Sequence, residues 1–354
     1  MRSLRTNKTL RTNVITYAVV VAAFVLFQAL GSARVLSSTM KGQLVPICAY
    51  VLMALSLNLT VGILGELSLG HAGFMSVGAF AGAVTASAMQ DSVPSSALRL
   101  TVAVLVGAAL AAIVGVLIGI PVLRLNGDYL AIVTLAFGEI IKSIVNNLYI
   151  GMDVNGLHAS FLNNTIVLGE GGRMILSGPM GVPGIKKTAT FAAGFILILI
   201  ALFVIFNLVN SRAGRAIMAL RDNRIAAESV GINVTKYKLM AFVISAAIAG
   251  AGGALYGQAQ NAIIATKFDF NTSILILVFV VLGGMGNMLG SILAAALLTV
   301  LPELLRSLND YRMLIYAIVL ILMMLFNSAP AMIQWREQMT EKLREKFGKE
   351  KKEG

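Results

Sequence analysis

The chain has 354 residues, of which 58% are hydrophobic and only 12% charged, at a mean hydropathy of +0.85. Soluble domains carry about a quarter charged residues, so this composition excludes an ordinary soluble enzyme or binding module. The formal net charge of +12 would suit nucleic acid, but the basic residues cluster at the ends of apolar runs, where they set membrane orientation instead.

Continuous apolar runs of about the 20 residues needed to cross a bilayer recur along the chain. They do not alternate every second residue, so they predict an all-α polytopic membrane protein rather than a β-barrel. The first thirteen residues, with Arg2, Arg5, Lys8 and Arg11 and no acid, read as a cytoplasmic segment. The run from Val14 to Leu30 has no small-residue cleavage site before Arg34 and reads as a retained first helix. Further spans are predicted at 44–62, 67–88, 98–121, 129–150, 188–209, 239–262, 273–284, 288–304 and 313–332. The division of 273–304 into two spans depends on "GGMGNMLG" (283–290), since glycines are where a membrane helix breaks or admits a neighbour. Cys48, the single cysteine, rules out a disulfide framework and a cysteine-rich metal site, and reads as a small buried apolar residue.

Charge supports ten spans. The N-terminal segment, the stretch 210–238 with Arg212, Arg215, Arg221, Arg224, Lys236 and Lys238, and the tail from Arg336 with seven Lys or Arg are all basic. If all three face the cytoplasm, even numbers of spans must separate them, and six followed by four satisfies this. The expected organisation is a cytoplasmic segment 1–13, a transmembrane body 14–332 and a charged cytoplasmic tail 333–354. The body carries a long external loop at 151–187, rich in Gly, Asn and Ser, and a cytoplasmic loop at 210–238.

No phosphate-binding loop, zinc spacing or cluster of catalytic groups is visible, so no enzymatic activity and no cofactor are expected. Small residues recur every fourth position at Gly107, Ala111, Gly115 and Gly119, and again at Ala246, Gly250 and Ala254, which predicts closely approaching helices. Ionisable groups at membrane depth are expensive and tend to face a cavity or a partner. The candidates are Glu66, His71, Glu139 and Lys142. Glu139 and Lys142 share a helix face and either neutralise each other or border a solute path. The stretch "GELSLGHAGF" (65–74) sets Glu66 and His71 among Gly65, Gly70 and Gly73, with Gly78 beyond. It reads either as an interfacial turn or as a glycine-broken membrane helix facing a translocated solute.

Three blocks carry a resemblance: "LSLNLTVGILGELSLGHAGFMSVGAF" (55–80), "NGDYLAIVTLAFGEII" (126–141) and "GRAIMALRDNRIAAESVGINVTKYKLMAFVISAAIAGAGGAL" (214–255). The sequence resembles the bacterial branched-chain amino acid ABC permeases of the LivH/LivM class, and its second block resembles the LivM type. That likeness implies a permease subunit of an importer in the bacterial plasma (inner) membrane. It implies a LivH-type sister permease, two cytoplasmic ATP-binding subunits and an external amino-acid-binding protein as partners. The basic charge at both ends places both termini in the cytoplasm and suits contact with membrane lipid. Within such a permease, the glycine-broken stretch and the ionisable groups at membrane depth predict a translocation path past Glu66, Gly70, His71, Gly73, Gly78 and Glu139. Residues 214–233 are similar to the coupling segment of related importers, ending in "VGINV" (230–234), and form an expected ATPase-docking helix. Its implied coupling residues are Arg215, Arg221, Asp222, Ala226, Ala227, Glu228 and Gly231. Ile225 stands where the older E-A-A-x-x-x-G signature has its acid. A permease for urea or short amides, and an ion-coupled secondary transporter, are the alternative readings.

Overall fold

A computed structural model describes residues 2–32, 38–90, 92–125, 127–153, 156–163, 166, 168–169, 172–305 and 311–328. The predicted tail 333–354 lies outside the described residues. Each of the ten apolar stretches, within the described residues, lies mainly on a helix of its own. These are α1 (Arg2–Ser32), α2 (Ser38–Asn58, continuing as a π-helix over Leu59–Leu64), α3 (His71–Ala88), α4 (Ser96–Val122) and α5 (Asp128–Asn146). After them come α6 (Phe191–Asn210), two short helices α7 (Arg212–Asp222) and α8 (Arg224–Ser229), then α9 (Val234–Gly257), α10 (Phe270–Gly283), α11 (Met288–Leu304) and α12 (Arg312–Ser328). The chain divides into a main unit, 1–297, and a C-terminal unit, 298–354, of which the end of α11 and α12 are described.

Among the described residues, five stretches are long and apolar enough to cross a membrane unaided: Thr39–Leu64, Ser96–Val122, Phe191–Asn210, Val234–Gly257 and Ala265–Gly283. α3 is rich in Gly, Ala and Ser, and is shielded by α2, α4, α5 and α9. A helix covered by other helices needs no lipid-compatible surface, which relaxes its demand for hydropathy.

The main unit is assembled on small residues. An added Cβ at Gly107 would meet the Ala254 methyl at 2.9 Å, and one at Gly115 would meet Ala246 at 2.7 Å. Gly250 faces Ala111 and the Gly107 carbonyl. The two predicted four-residue stripes are therefore the α4–α9 seam. Without a hydrophobic drive between helices in lipid, such close approach supplies the dispersion that holds them.

Three strands follow α5. Strands β1 (Leu148–Asp153), β2 (Gly156–Phe161) and β3 (Arg173–Ser177) form an antiparallel sheet in the order β2-β1-β3. The sheet begins at Leu148, before the predicted external loop, and extends into it, which shortens the fifth span to end at Asn146 rather than Ile150. Arg173 ties it back to the helices by donating to the Ser87 carbonyl at 2.7 Å.

The expected single helix over 214–233 is corrected to two. Asn223 adopts an extended conformation (φ −156°, ψ 105°), ending α7, and its side chain accepts from the Ala226 amide at 3.0 Å to begin α8. Asparagine competes for backbone donors in this way, favouring a cap over a helix interior.

Candidate functional site

The α2–α3 connection is built from a broken helix. The π-helical turn over Leu59–Leu64 ends at Gly65, whose φ of +80° places it in the left-handed region. The Gly65 and Glu66 amides both turn back to the Thr60 carbonyl, as in a helix terminus closed by a glycine. Residues 65–70 are not helical, and α3 resumes at His71. Backbone polar groups freed within a membrane must find protein partners. Here the Leu69 amide donates to Thr134 Oγ1 of α5 at 3.0 Å, and the Ala72 amide to Ser273 Oγ of α10 at 3.1 Å.

His71 is fully buried. Its Nε2 lies 2.6 Å from Ser56 Oγ and 3.1 Å from Ser245 Oγ. The two serines cross-link α2 and α9 reciprocally, Ser56 Oγ donating to the Ser245 carbonyl at 2.8 Å and Ser245 Oγ to the Ser56 carbonyl at 2.7 Å. Thr60 Oγ1 donates to Ser245 Oγ at 2.8 Å. Nε2 thus joins the hydroxyl set that ties α2 to α9. A second polar link joins the π-helix to the α10–α11 break: Asn58 accepts from the Gly286 amide at 2.7 Å and donates to Ser291 Oγ at 2.9 Å.

Glu66 does not stand alone. It is ion-paired with Lys238 in the second turn of α9, and the two side chains are 13% and 5% exposed. Arg221 of α7 lies alongside. Its Nη1 donates to the Gly62 carbonyl at 2.9 Å, while Nε and Nη2 hold Asp222 Oδ1 at 3.2 and 3.1 Å. A pocket of about 320 Å³ opens here, lined by Glu66, Asp128, Arg221, Arg224 and Lys238 among others.

The glycines sit at helix crossings. A Cβ at Gly70 would overlap the Thr134 carbonyl, and one at Gly78 would overlap the Gly250 backbone; at Gly73 it would meet Gly138 Cα at 3.0 Å. Glu139 pairs with Lys142 on α5 and remains 44% exposed. Thus Glu66, Gly70, His71, Gly73 and Gly78 lie along one continuous break and its following helix, whereas Glu139 lies on the outward side of a neighbouring helix.

The residues expected to couple to the ATPase divide by face. Of the segment's apolar residues, Ile217 and Leu220 turn inward and are buried, while Ile225 and Val230, beyond the break at Asn223, are 82% and 75% exposed. Ala227 belongs to a small core with Leu220 and Val234, whereas Ala226 and Glu228 are exposed. Arg215 is exposed and donates to the Asn210 carbonyl at 3.2 Å. Gly231 takes φ +85° and the Ile232 amide bonds back to the Ala227 carbonyl at 3.1 Å, the expected left-handed end of the segment.

Sequence reasoning missed Lys238 as the partner of Glu66, counting it with the cytoplasmic basic loop. It also missed the polar set Ser56, Asn58, Thr60, Ser245 and Ser291. A signal existed for part of it, because Ser56 and Thr60 stand four apart and so share a helix face.

The family described as "Branched-chain amino acid transport system / permease component" matches residues 39–325. The sequence is 38% identical over 302 residues, 82% of this chain and 69% of the relative, to the high-affinity branched-chain amino acid transport system permease protein LivM of Salmonella typhimurium. The same-named protein of Escherichia coli is 37% identical over equal shares of both chains. A nucleoside ABC transporter permease protein, NupC of Lactococcus lactis, is 25% identical over 207 residues, covering 55% of this chain and 59% of the relative. No solved structure matches.

Proposed function

The chain belongs to the permease family of branched-chain amino acid transport systems, and we propose that it moves branched-chain or related amino acids into the cytoplasm. It is a multi-pass membrane subunit of an ABC importer. In the proposed assembly a LivH-type sister permease completes the membrane unit, and two ATP-binding subunits hydrolyse ATP beneath it. An external binding protein delivers the solute, and lipid surrounds the complex in the bacterial inner membrane. Both termini face the cytoplasm and residues 151–187 face outward.

The observation that carries the solute class is the 38% identity to a LivM permease across 82% of the chain. The geometry supports the transport role. The glycine-broken stretch 65–78 supplies a discontinuous helix within the bundle, the arrangement from which solute sites in membrane transporters are built. Glu66, Gly70, His71, Gly73 and Gly78 are the proposed path-bordering residues, with Glu139 on the face of α5 left open to a partner. The exposed Ile225 and Val230, flanked by Arg215, Asp222, Ala226 and Glu228, form the proposed ATPase-docking surface, a small amphipathic element suited to a protein groove.

Purifying the chain from its native membrane tests this. The expected result is co-isolation of two ATP-binding subunits and a second permease. A chain that transports alone, driven by an ion gradient, would overturn it in favour of a secondary transporter.

A further inference from the structure

We propose that Arg221 is the positioning residue that transmits movement of the docking segment to the broken membrane helices. The inference rests on the docking role proposed for α7 and α8, and concerns what lies on their inner side.

Three discontinuities meet at this arginine. Asn223, two residues on, separates α7 from α8. The Gly62 carbonyl that Arg221 Nη1 holds at 2.9 Å belongs to the π-helix, three residues before the helix ends at Gly65. A Cβ at Gly62 would overlap Asn58 Oδ1 and the Gly286 amide, so this turn is seated directly on the break between α10 and α11. Asn58 continues the link to Ser291 on α11.

The side chain is shaped for this task. Its aliphatic stem lies against Gly65, where an added Cβ would meet Arg221 Cγ at 2.5 Å. Its guanidinium bridges an outward carboxylate, Asp222, at 70% exposure, and an inward carbonyl 159 residues away in the chain. The last carbonyls of a helix lack intrahelical acceptor duty and are satisfied by basic side chains. Arg221 therefore closes the end of the π-helix from a different element, so that displacing α7 must either carry the π-turn with it or break a charge-assisted bond. The pocket beside it, with Glu66 and Lys238 on its wall, leaves room for that displacement. Helix breaks supply the two-arrangement elements that energetic coupling between distant sites requires.

The test uses the full complex, with both permeases, the ATP-binding subunits and the binding protein, reconstituted in liposomes. Arg221→Met keeps the stem and removes the donors; Arg221→Lys keeps one charged donor. Losing a charge-assisted bond is worth about tenfold or more in an equilibrium, so Arg221→Met is expected to lower uptake and binding-protein-stimulated ATP hydrolysis by at least about tenfold. The ATP-binding subunits should still co-purify at wild-type stoichiometry, and the Lys variant should recover part of the stimulation. Uptake by Arg221→Met within about twofold of wild type would overturn the inference. So would loss of co-purification, which would make Arg221 a docking residue and leave the docking surface itself intact as a reading. Failure of wild-type chain to bind ATP-binding subunits at all would instead remove the functional proposal. If Arg221→Met fails to fold or to reach the membrane, hydrogen exchange on the wild-type complex decides. Protection over 59–66 should differ between nucleotide-free and vanadate-trapped states, and unchanged protection would overturn the inference.

Discussion

Glu66 and Lys238 stand 172 residues apart in the chain, yet their side chains meet almost out of contact with solvent. A buried ion pair is a poor source of net stability, because desolvating both groups cancels most of their attraction. Removing one partner is costly, since it strands the other charge. Glu66→Gln is therefore expected to destabilise the chain by about 3–5 kcal/mol, whereas adding Lys238→Met should recover most of that loss. Thermal unfolding in detergent of the two single variants and the double variant checks this. Additive losses in the double variant would show that the two groups act independently. His71 poses a related case, as its Nε2 lies within hydrogen-bond distance of both Ser56 and Ser245, and so joins three helices through one ring.

The docking segment shows what an element adds to its residues. Ile225 and Ala227 are two positions apart, but one is 82% exposed and the other 4%. Ile225→Asp should leave thermal stability within about 0.5 kcal/mol of wild type, as expected of an exposed site, while weakening retention of the ATP-binding subunits on purification. Ala227→Asp would bury a charge against Leu220 and Val234 and should destabilise the segment by several kcal/mol. Comparing unfolding and co-purification for the pair separates docking from folding. An Ile225→Asp complex that retains its subunits fully would move the docking surface elsewhere. The extent of this segment was legible from its charges and from Gly231. Its break was not, because Asn223 is compatible with helix until its side chain finds the Ala226 amide. The inward turn of Arg221 was illegible for a stronger reason: its partner is a backbone carbonyl, which carries no sequence signature.

At the scale of the molecule, the ten apolar stretches and the α4–α9 seam were readable because lipid imposes length and close approach imposes small residues. The sheet formed by β1, β2 and β3 was not, since its strands are short and two of them, β2 and β3, lie at edges. The sheet also offers a test of topology. Cys48 is the only native cysteine and is buried, so a cysteine introduced at Asn163 or Ser177 should be the main reactive thiol. Impermeant thiol reagents should modify it from outside intact cells, and modification only in inverted vesicles would reverse the proposed orientation. The central claim, an ATP-driven amino acid permease working through partners, is tested most directly by labelled leucine uptake into liposomes holding the full complex. Uptake should require ATP on the side of the ATP-binding subunits and the binding protein on the opposite side, and should cease when either is omitted. Leucine uptake by the chain alone, or none by the complete complex, would contradict it.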